Sequence, residues 1–127
     1  MKNFLNNQSG QSLITLLFFI VIGVTVISAA TLVLAAGILS ASNSETGMNA
    51  YYLAESGAEN GMLYLIRKPT YSGALPLILV GSGQIAVNIN SGAITSIGSY
   101  GTTVKKIQVN TTFVNGALNI SSWKEIN

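Results

Sequence analysis

The sequence predicts an α+β fold in which one long N-terminal helix packs on a small antiparallel β-sheet. Three observations predict it: an uncharged apolar run over residues 13–39, a helical period that resumes over residues 48–67, and alternating strand-like segments after residue 71. A sheet with one apolar face needs a cover, and the periodic helical segment is the available one. We therefore expect the helix and the sheet to share one core.

The apolar run contains neither a charge nor a proline. A helix over it extends ~40 Å, more than the ~30 Å hydrocarbon core of a bilayer requires. An ordinary signal peptide has an apolar core of only ~7–15 residues, so we interpret residues 11–39 as a transmembrane helix. Lys2 precedes the run and the first charges after it are acidic, which predicts a single pass with the N-terminus in the cytoplasm.

Small side chains recur within the apolar run, and Gly23 and Gly37 are the smallest of them. Small residues let membrane helices approach each other closely, because lipid supplies no hydrophobic drive for association. We interpret both glycines as helix-packing positions, and Gly23 also as a candidate for local loosening of the helix. A second interpretation stays open, namely that glycine is simply common in membrane helices.

The helix is predicted to continue through residues 40–69 as an amphipathic segment. Small and apolar residues there recur at spacings of three and four and trace one face: Ala50, Leu53, Ala54, Gly57, Ala58, Gly61, Met62 and Leu65. Pro69 ends the helix, because the residue before a proline disfavours the helical conformation. Gly57 and Gly61 each cost ~1 kcal/mol relative to alanine in a helix, so we expect close packing at both.

Residues 70–127 are predicted to form the sheet. Strand patterns separated by short turns, the first of them at residues 90–92, predict three or four strands over residues 84–90, 93–99, 102–114 and 117–126. Asn115-Gly116 is a strong hairpin signal. Lys105-Lys106 interrupt the alternation, so a bulge or a strand start is expected there. Trp123 is interpreted as a core residue of the sheet.

The side-chain inventory argues against an enzyme. The sequence has no histidine, no aspartate and no cysteine, which removes Ser-His-Asp and Cys-His catalysis and the common zinc sites. We therefore expect no catalytic residue, no metal and no cofactor. Six scattered basic residues do not form the basic stripe of a nucleic-acid-binding protein, so no nucleic acid is expected as a partner.

Residues 8–67 resemble the type IV pilin and pseudopilin family. QSGQSLITLL, residues 8–17, matches a leader in which glycine precedes the apolar run, and AYYLAESGAENGMLYL, residues 50–65, resembles the alanine-rich stretch of PilX-like minor pilins. The resemblance implies that residues 1–10 are a prepilin leader and that a prepilin peptidase cuts between Gly10 and Gln11. Gln11 then becomes the mature N-terminus, which this family usually methylates.

Thr15 departs from the family pattern. It is the fifth residue of the implied mature chain, where major pilins generally carry a glutamate that pairs with the N-terminus of a neighbouring subunit. A buried charge is tolerated only when paired, so that contact sets the register between subunits. Thr15 cannot form the ion pair, which implies a minor, priming or tip-proximal subunit. The alternative, that another contact fixes the register, stays open.

Glu55 and Glu59 lie four residues apart on the predicted helix, a spacing at which like charges repel mildly. One interpretation is that they meet Lys105, Lys106 or a basic residue of a neighbouring subunit. The other is that they are simply solvated. The sequence does not decide between these interpretations.

The expected function is that of a minor type IV pilin or pseudopilin, a structural subunit of a bacterial pilus or secretion filament. The resemblance implies other pilin subunits, the prepilin peptidase, the cytoplasmic membrane, and an assembly platform and motor as partners. It implies a location first in the cytoplasmic membrane and then in an extracellular or periplasmic filament. The alternative is a signal-anchored membrane protein whose exported β domain binds a partner and does not polymerise.

Overall fold

The computed structural model describes residues 8–126, with side chains from residue 10 onward. Over this range one helix precedes six strands, which confirms the predicted α+β fold. The elements are α1 (Gln8–Arg67), β1 (Gly73–Ala74), β2 (Ile78–Val80), β3 (Gly83–Asn90), β4 (Ala93–Tyr100), β5 (Thr103–Val114) and β6 (Ala117–Ile126). Residues 1–7 of the predicted leader, and with them Lys2 and the orientation it predicts, lie outside the described residues.

The helix α1 is continuous and ends at Arg67, directly before Lys68-Pro69, as the sequence predicts. The chain divides into two compact units, one ending at Ala41 and the other beginning at Ser42, and the described part of the first unit is helix alone. Its large apolar side chains, from Leu13 to Leu39, are 44–73% exposed. This part of α1 is long and apolar enough to cross a membrane.

The sheet of the second unit is antiparallel throughout, with the strand order β1-β3-β4-β5-β6, and β2 pairs with the same edge of β3 as β1 does. Two-residue turns join β3 to β4 and β5 to β6. Ser91-Gly92 and Asn115-Gly116 both have positive φ at the two central positions, the conformation that suits the twist of a tight hairpin. The predicted turn at Asn115-Gly116 is therefore confirmed.

The core lies between one face of the sheet and the part of α1 from Ala50 to Leu65. The helix supplies mainly small residues and the sheet supplies branched ones: Ala54, Ala58, Leu65, Ile85, Val87, Ile89, Ile94, Ile107 and Val109 are all buried together. Alanine and glycine on the helix let its backbone approach the sheet, and the β-branched side chains of the strands fill the space between them.

Two predictions about the sheet need correction. The sheet has six strands rather than three or four, because β1 and β2 are only two and three residues long and too short to show an alternating pattern. The bulge lies between Asn110 and Thr111 of β5, where Ser121 of β6 is left without an opposite residue. Lys105 and Lys106 instead pair in regular register with Gly98 and Ile97.

Trp123 is not a core residue, and that prediction is wrong. Its side chain is 37% exposed, and no residue of β6 among those described is fully buried. Trp123 pairs with Val109 and so lies on the same face of the sheet as the core. The core ends at β5, because α1 is too narrow to cover β6 as well.

Candidate functional site

The implied processing site lies close to the beginning of α1. Gly10 is exposed, and a Cβ placed on it meets no described atom within 4 Å. Gln11 follows in the same helix, and its carbonyl oxygen accepts a hydrogen bond of 2.9 Å from the hydroxyl of Thr15. The hydroxyl proton of Thr15 is therefore used in a hydrogen bond within its own helix, and the hydroxyl oxygen can still accept a further hydrogen bond.

Other hydroxyl groups of the apolar run are satisfied in the same way. Thr25, Ser28 and Thr31 each donate to a backbone carbonyl three or four residues earlier, at 2.6–2.8 Å. Hydroxyls bonded to their own helix expose no unpaired donor to a hydrocarbon environment. These polar residues are therefore compatible with a helix that lies in lipid or against other helices.

The four glycines singled out from the sequence fall into two groups. Gly23 is half-buried and Gly37 is exposed, and a Cβ on either meets no described atom within 4 Å. Gly57 and Gly61 are buried against the sheet of their own chain. A Cβ on Gly57 overlaps the hydroxyl of Ser96 and the Cγ2 of Ile85, whereas one on Gly61 lies 2.7 Å from the Cγ2 of Ile94.

A further glycine, Gly98 of β4, was not singled out from the sequence. A Cβ there overlaps the carbonyl oxygen of Ala50 and the amide nitrogen of Ala54, so the strand touches the backbone of α1 directly. A glycine inside a strand pattern is the signal that indicates such a close approach. Gly57, Gly61 and Gly98 together set the distance between helix and sheet.

Ser96 is a buried polar residue at this interface. Its side chain is fully buried opposite Gly57, and its hydroxyl has no hydrogen-bond partner within the described residues. A nucleophilic serine needs a base within hydrogen-bond reach. None lies beside Ser96, and residues 8–126 contain no cluster of acidic groups able to hold a metal ion.

The charged residues singled out from the sequence do not pair with one another. Lys105 forms an ion pair with Glu125 of β6 on the helix side of the sheet, and no other ion pair occurs in the described part of the chain. Lys106, the next residue along β5, points to the opposite face. Glu55 and Glu59 of α1 therefore meet neither lysine of their own chain.

Two grooves flank α1 where it lies on the sheet. One, on the side of β5 and β6, is lined by Met48, Tyr51, Lys105 and Glu125 among others. The other, on the side of β2 and β3, is lined by Asn49, Leu53, Val80 and Tyr100 among others. Both grooves are open, and neither contains the convergent polar groups that fix a small molecule.

Comparison of the chain with protein-family models, with curated proteins and with solved structures finds no match.

Proposed function

We propose that the protein is a minor type IV pilin or pseudopilin, a structural subunit of a membrane-anchored pilus or secretion filament. One observation supports it above all: α1 runs unbroken from an apolar first part with exposed side chains into a second part that packs on a sheet. The first part therefore has exposed apolar surface that lipid or other helices can cover. The second part forms a hydrophobic core together with the sheet.

The proposed sequence of events begins in the cytoplasmic membrane. Prepilin peptidase cuts between Gly10 and Gln11, where Gly10 is exposed and has open space around it. An assembly platform and motor then extract the subunit, and its apolar segment exchanges lipid contacts for contacts with other pilin subunits. Gly23 and Gly37 offer the open backbone that close helix packing requires.

Thr15 supports a minor or tip-proximal position in the filament. Its hydroxyl donates to Gln11, and it carries no charge to neutralise a neighbouring N-terminus. A subunit without that charge is best tolerated where no further subunit has to be paired. A Thr15→Glu variant tests this step: we expect a larger amount of the protein in sheared filaments than for the unchanged chain.

The deciding experiment is the identity of the mature N-terminus. The full chain is produced beside a prepilin peptidase, and N-terminal sequencing with intact mass shows where it begins. We expect a chain that starts at Gln11, and a Gly10→Val variant that keeps Met1 because its side chain blocks the cut. Ser9→Ala is the matched control and should be processed normally.

An unprocessed chain that starts at Met1 in the presence of an active peptidase contradicts the proposal. That result favours the alternative of a signal-anchored membrane protein with an exported β domain. A processed chain that never co-purifies with a filament contradicts the filament role while leaving the cleavage step intact.

A further inference from the structure

The dipeptide Asn-Gly occurs twice in the chain, at Asn60-Gly61 in α1 and at Asn115-Gly116 in the turn between β5 and β6. This dipeptide has a chemistry of its own. The backbone nitrogen of the glycine can attack the side-chain amide carbon of the asparagine, because glycine has no side chain to obstruct the approach. The fold places the two copies of the dipeptide in opposite environments.

Asn60-Gly61 lies inside α1, where the amide of Gly61 belongs to the helix. An amide at this position donates a hydrogen bond to the carbonyl oxygen four residues earlier, that of Gly57. Gly61 is also buried against the sheet, and a Cβ on it would lie 2.7 Å from the Cγ2 of Ile94. The attack requires the loss of this hydrogen bond and a local unwinding of the helix within the core, so the fold protects Asn60.

Asn115-Gly116 lies at the tip of the hairpin formed by β5 and β6, and both residues are exposed. The ladder of the hairpin ends at the pair Val114 and Ala117, so the amide of Gly116 lies outside it. This amide donates no backbone hydrogen bond elsewhere within residues 8–126. A Cβ on Gly116 meets no described atom within 4 Å, so water has free access to the turn.

The left-handed conformation of Asn115, with a φ of 53°, is the remaining barrier to the attack. In this conformation the nitrogen of the next residue lies roughly opposite the Cβ, so the backbone of Asn115 must rotate before the two atoms meet. The rotation disturbs only the last pair of the hairpin, and Val114 and Ala117 are both exposed and outside the core. Such a tip opens at a much smaller free energy than an element of the core.

We propose that Asn115 is a site of spontaneous deamidation and that Asn60 is not. The deprotonated nitrogen of Gly116 forms a bond to the Cγ of Asn115, and the bond between Cγ and Nδ2 breaks, which releases ammonia and leaves a cyclic imide. Water then adds to one of the two imide carbonyl groups and opens the ring, so the product is aspartate or isoaspartate. Water is the only co-reactant, and nothing is oxidised or reduced.

The two products change the hairpin differently. Aspartate leaves the main chain intact, and Asp-Gly suits the same two-residue turn as Asn-Gly. Isoaspartate carries the main chain through the side-chain carbon and lengthens the turn, which removes the geometry that pairs Val114 with Ala117. Either product adds one negative charge to a chain whose formal net charge is +2.

The test uses the full natural chain, purified in detergent and kept in a mildly alkaline buffer. Cleavage after Arg67 and Lys106 places the two asparagines in different peptides, and mass spectrometry measures the converted fraction of each over time. We expect Asn115 to convert more than about tenfold faster than Asn60, because opening a core helix costs more free energy than opening the tip of a hairpin. The rate should rise with pH, because the attacking nitrogen must lose its proton.

The same chain in denaturant is the matched control, because both dipeptides are then equally free to react. We expect Asn60 and Asn115 to convert at similar rates under those conditions. Equal rates in the folded chain overturn the proposal. So does the absence of conversion at Asn115 over a period in which the denatured chain converts.

An Asn115→Gln variant tests the assignment within the hairpin peptide, which also contains Asn110 and Asn119. Glutamine would have to close a larger ring, which forms far more slowly, so the converted hairpin peptide should be absent. A variant that converts as fast as the natural chain places the reaction at another residue and contradicts the assignment.

These results separate the inference from the proposed function. A chain that still begins at Met1 and converts selectively at Asn115 supports the deamidation site and contradicts the pilin role. A chain that begins at Gln11 and converts equally at both asparagines does the reverse.

Discussion

The two parts of α1 contain glycine for different physical reasons. Gly23 and Gly37 in the apolar part have open space around them, whereas Gly57 and Gly61 in the second part touch the sheet. Glycine weakens any helix by about 1 kcal/mol relative to alanine, so both pairs reduce helix stability by a similar amount. Only the second pair makes close contacts within its own chain that can offset this cost.

The largest expected effect comes from Gly98→Ala. The added Cβ overlaps backbone atoms of Ala50 and Ala54, which cannot rotate away, so the helix must move off the sheet. We expect a loss of about 3 kcal/mol in the free energy of unfolding, the upper end of the usual cost of overpacking. Denaturant titration of the full chain in detergent, followed by the fluorescence of Trp123, the single tryptophan, measures it.

Gly47→Ala is the matched control for that experiment. Gly47 lies in the same unit, inside α1, and a Cβ there meets no described atom within 4 Å. The variant should raise the free energy of unfolding by about 1 kcal/mol through helix propensity alone. If Gly98→Ala is as stable as the unchanged chain, the helix does not approach the sheet as closely as described.

Gly57→Ala and Gly61→Ala should have smaller effects. Their added Cβ atoms meet the side chains of Ser96, Ile85 and Ile94, which can shift. Alanine also stabilises the helix by about 1 kcal/mol relative to glycine, which offsets part of the packing cost. We expect net losses of about 2 kcal/mol for Gly57→Ala and about 1 kcal/mol for Gly61→Ala, measured by the same titration. A gain in stability at both positions shows that helix propensity outweighs packing and removes the contrast between the two parts of α1.

Ser96→Ala should stabilise the protein slightly. The hydroxyl is fully buried without a partner in the described chain, and an unsatisfied buried hydroxyl costs about 1–3 kcal/mol. Removing it leaves only a small void, so we expect a net gain of about 1 kcal/mol at most. Ser96→Val tests the space opposite Gly57 and should destabilise. A clear loss on Ser96→Ala means that the hydroxyl has a partner, such as a buried water.

Gly23→Ala and Gly37→Ala should leave the stability of the sheet-bearing unit unchanged within about 0.5 kcal/mol. Both positions lie in the other unit, with open space around them. If their packing partner is another subunit, the same variants lower the amount of protein recovered in filaments. Recovery equal to that of the unchanged chain in both variants contradicts a packing role for these glycines.

Elements of the fold could be predicted from the sequence where their residue pattern extends over many residues or where a local preference is strong. The continuity of α1, its end at Arg67, its buried face and the Asn115-Gly116 turn all rest on periodicity or on strong local preferences. Prediction failed for β1 and β2, which are too short to carry a period. It also failed for Trp123, because an apolar residue in a strand does not reveal whether a helix covers that strand.

For the candidate site, the sequence indicates which residues matter but not which residues they contact. The sequence suggests that Glu55 and Glu59 could meet Lys105 or Lys106. In the structure Lys105 pairs instead with Glu125, twenty positions later in the chain. That pairing follows from the register of β5 with β6, which no local signal encodes. Gly98 was missed although a glycine within a strand is a recognisable signal, because its meaning depends on which element lies above it.

The sequence by itself determined the classes of structure present: one apolar and one amphipathic helical segment, a strand-rich remainder, and no histidine or cysteine chemistry. Local patterns are enough for this, because the alternation of polar and apolar residues directly reflects which face of an element is buried. Only the tertiary structure decided that the helix covers β3 to β5 and stops short of β6, leaving Trp123 exposed and both edges open. The width of one helix and the register of the strands set that limit, and both are properties of packed elements rather than of neighbouring residues.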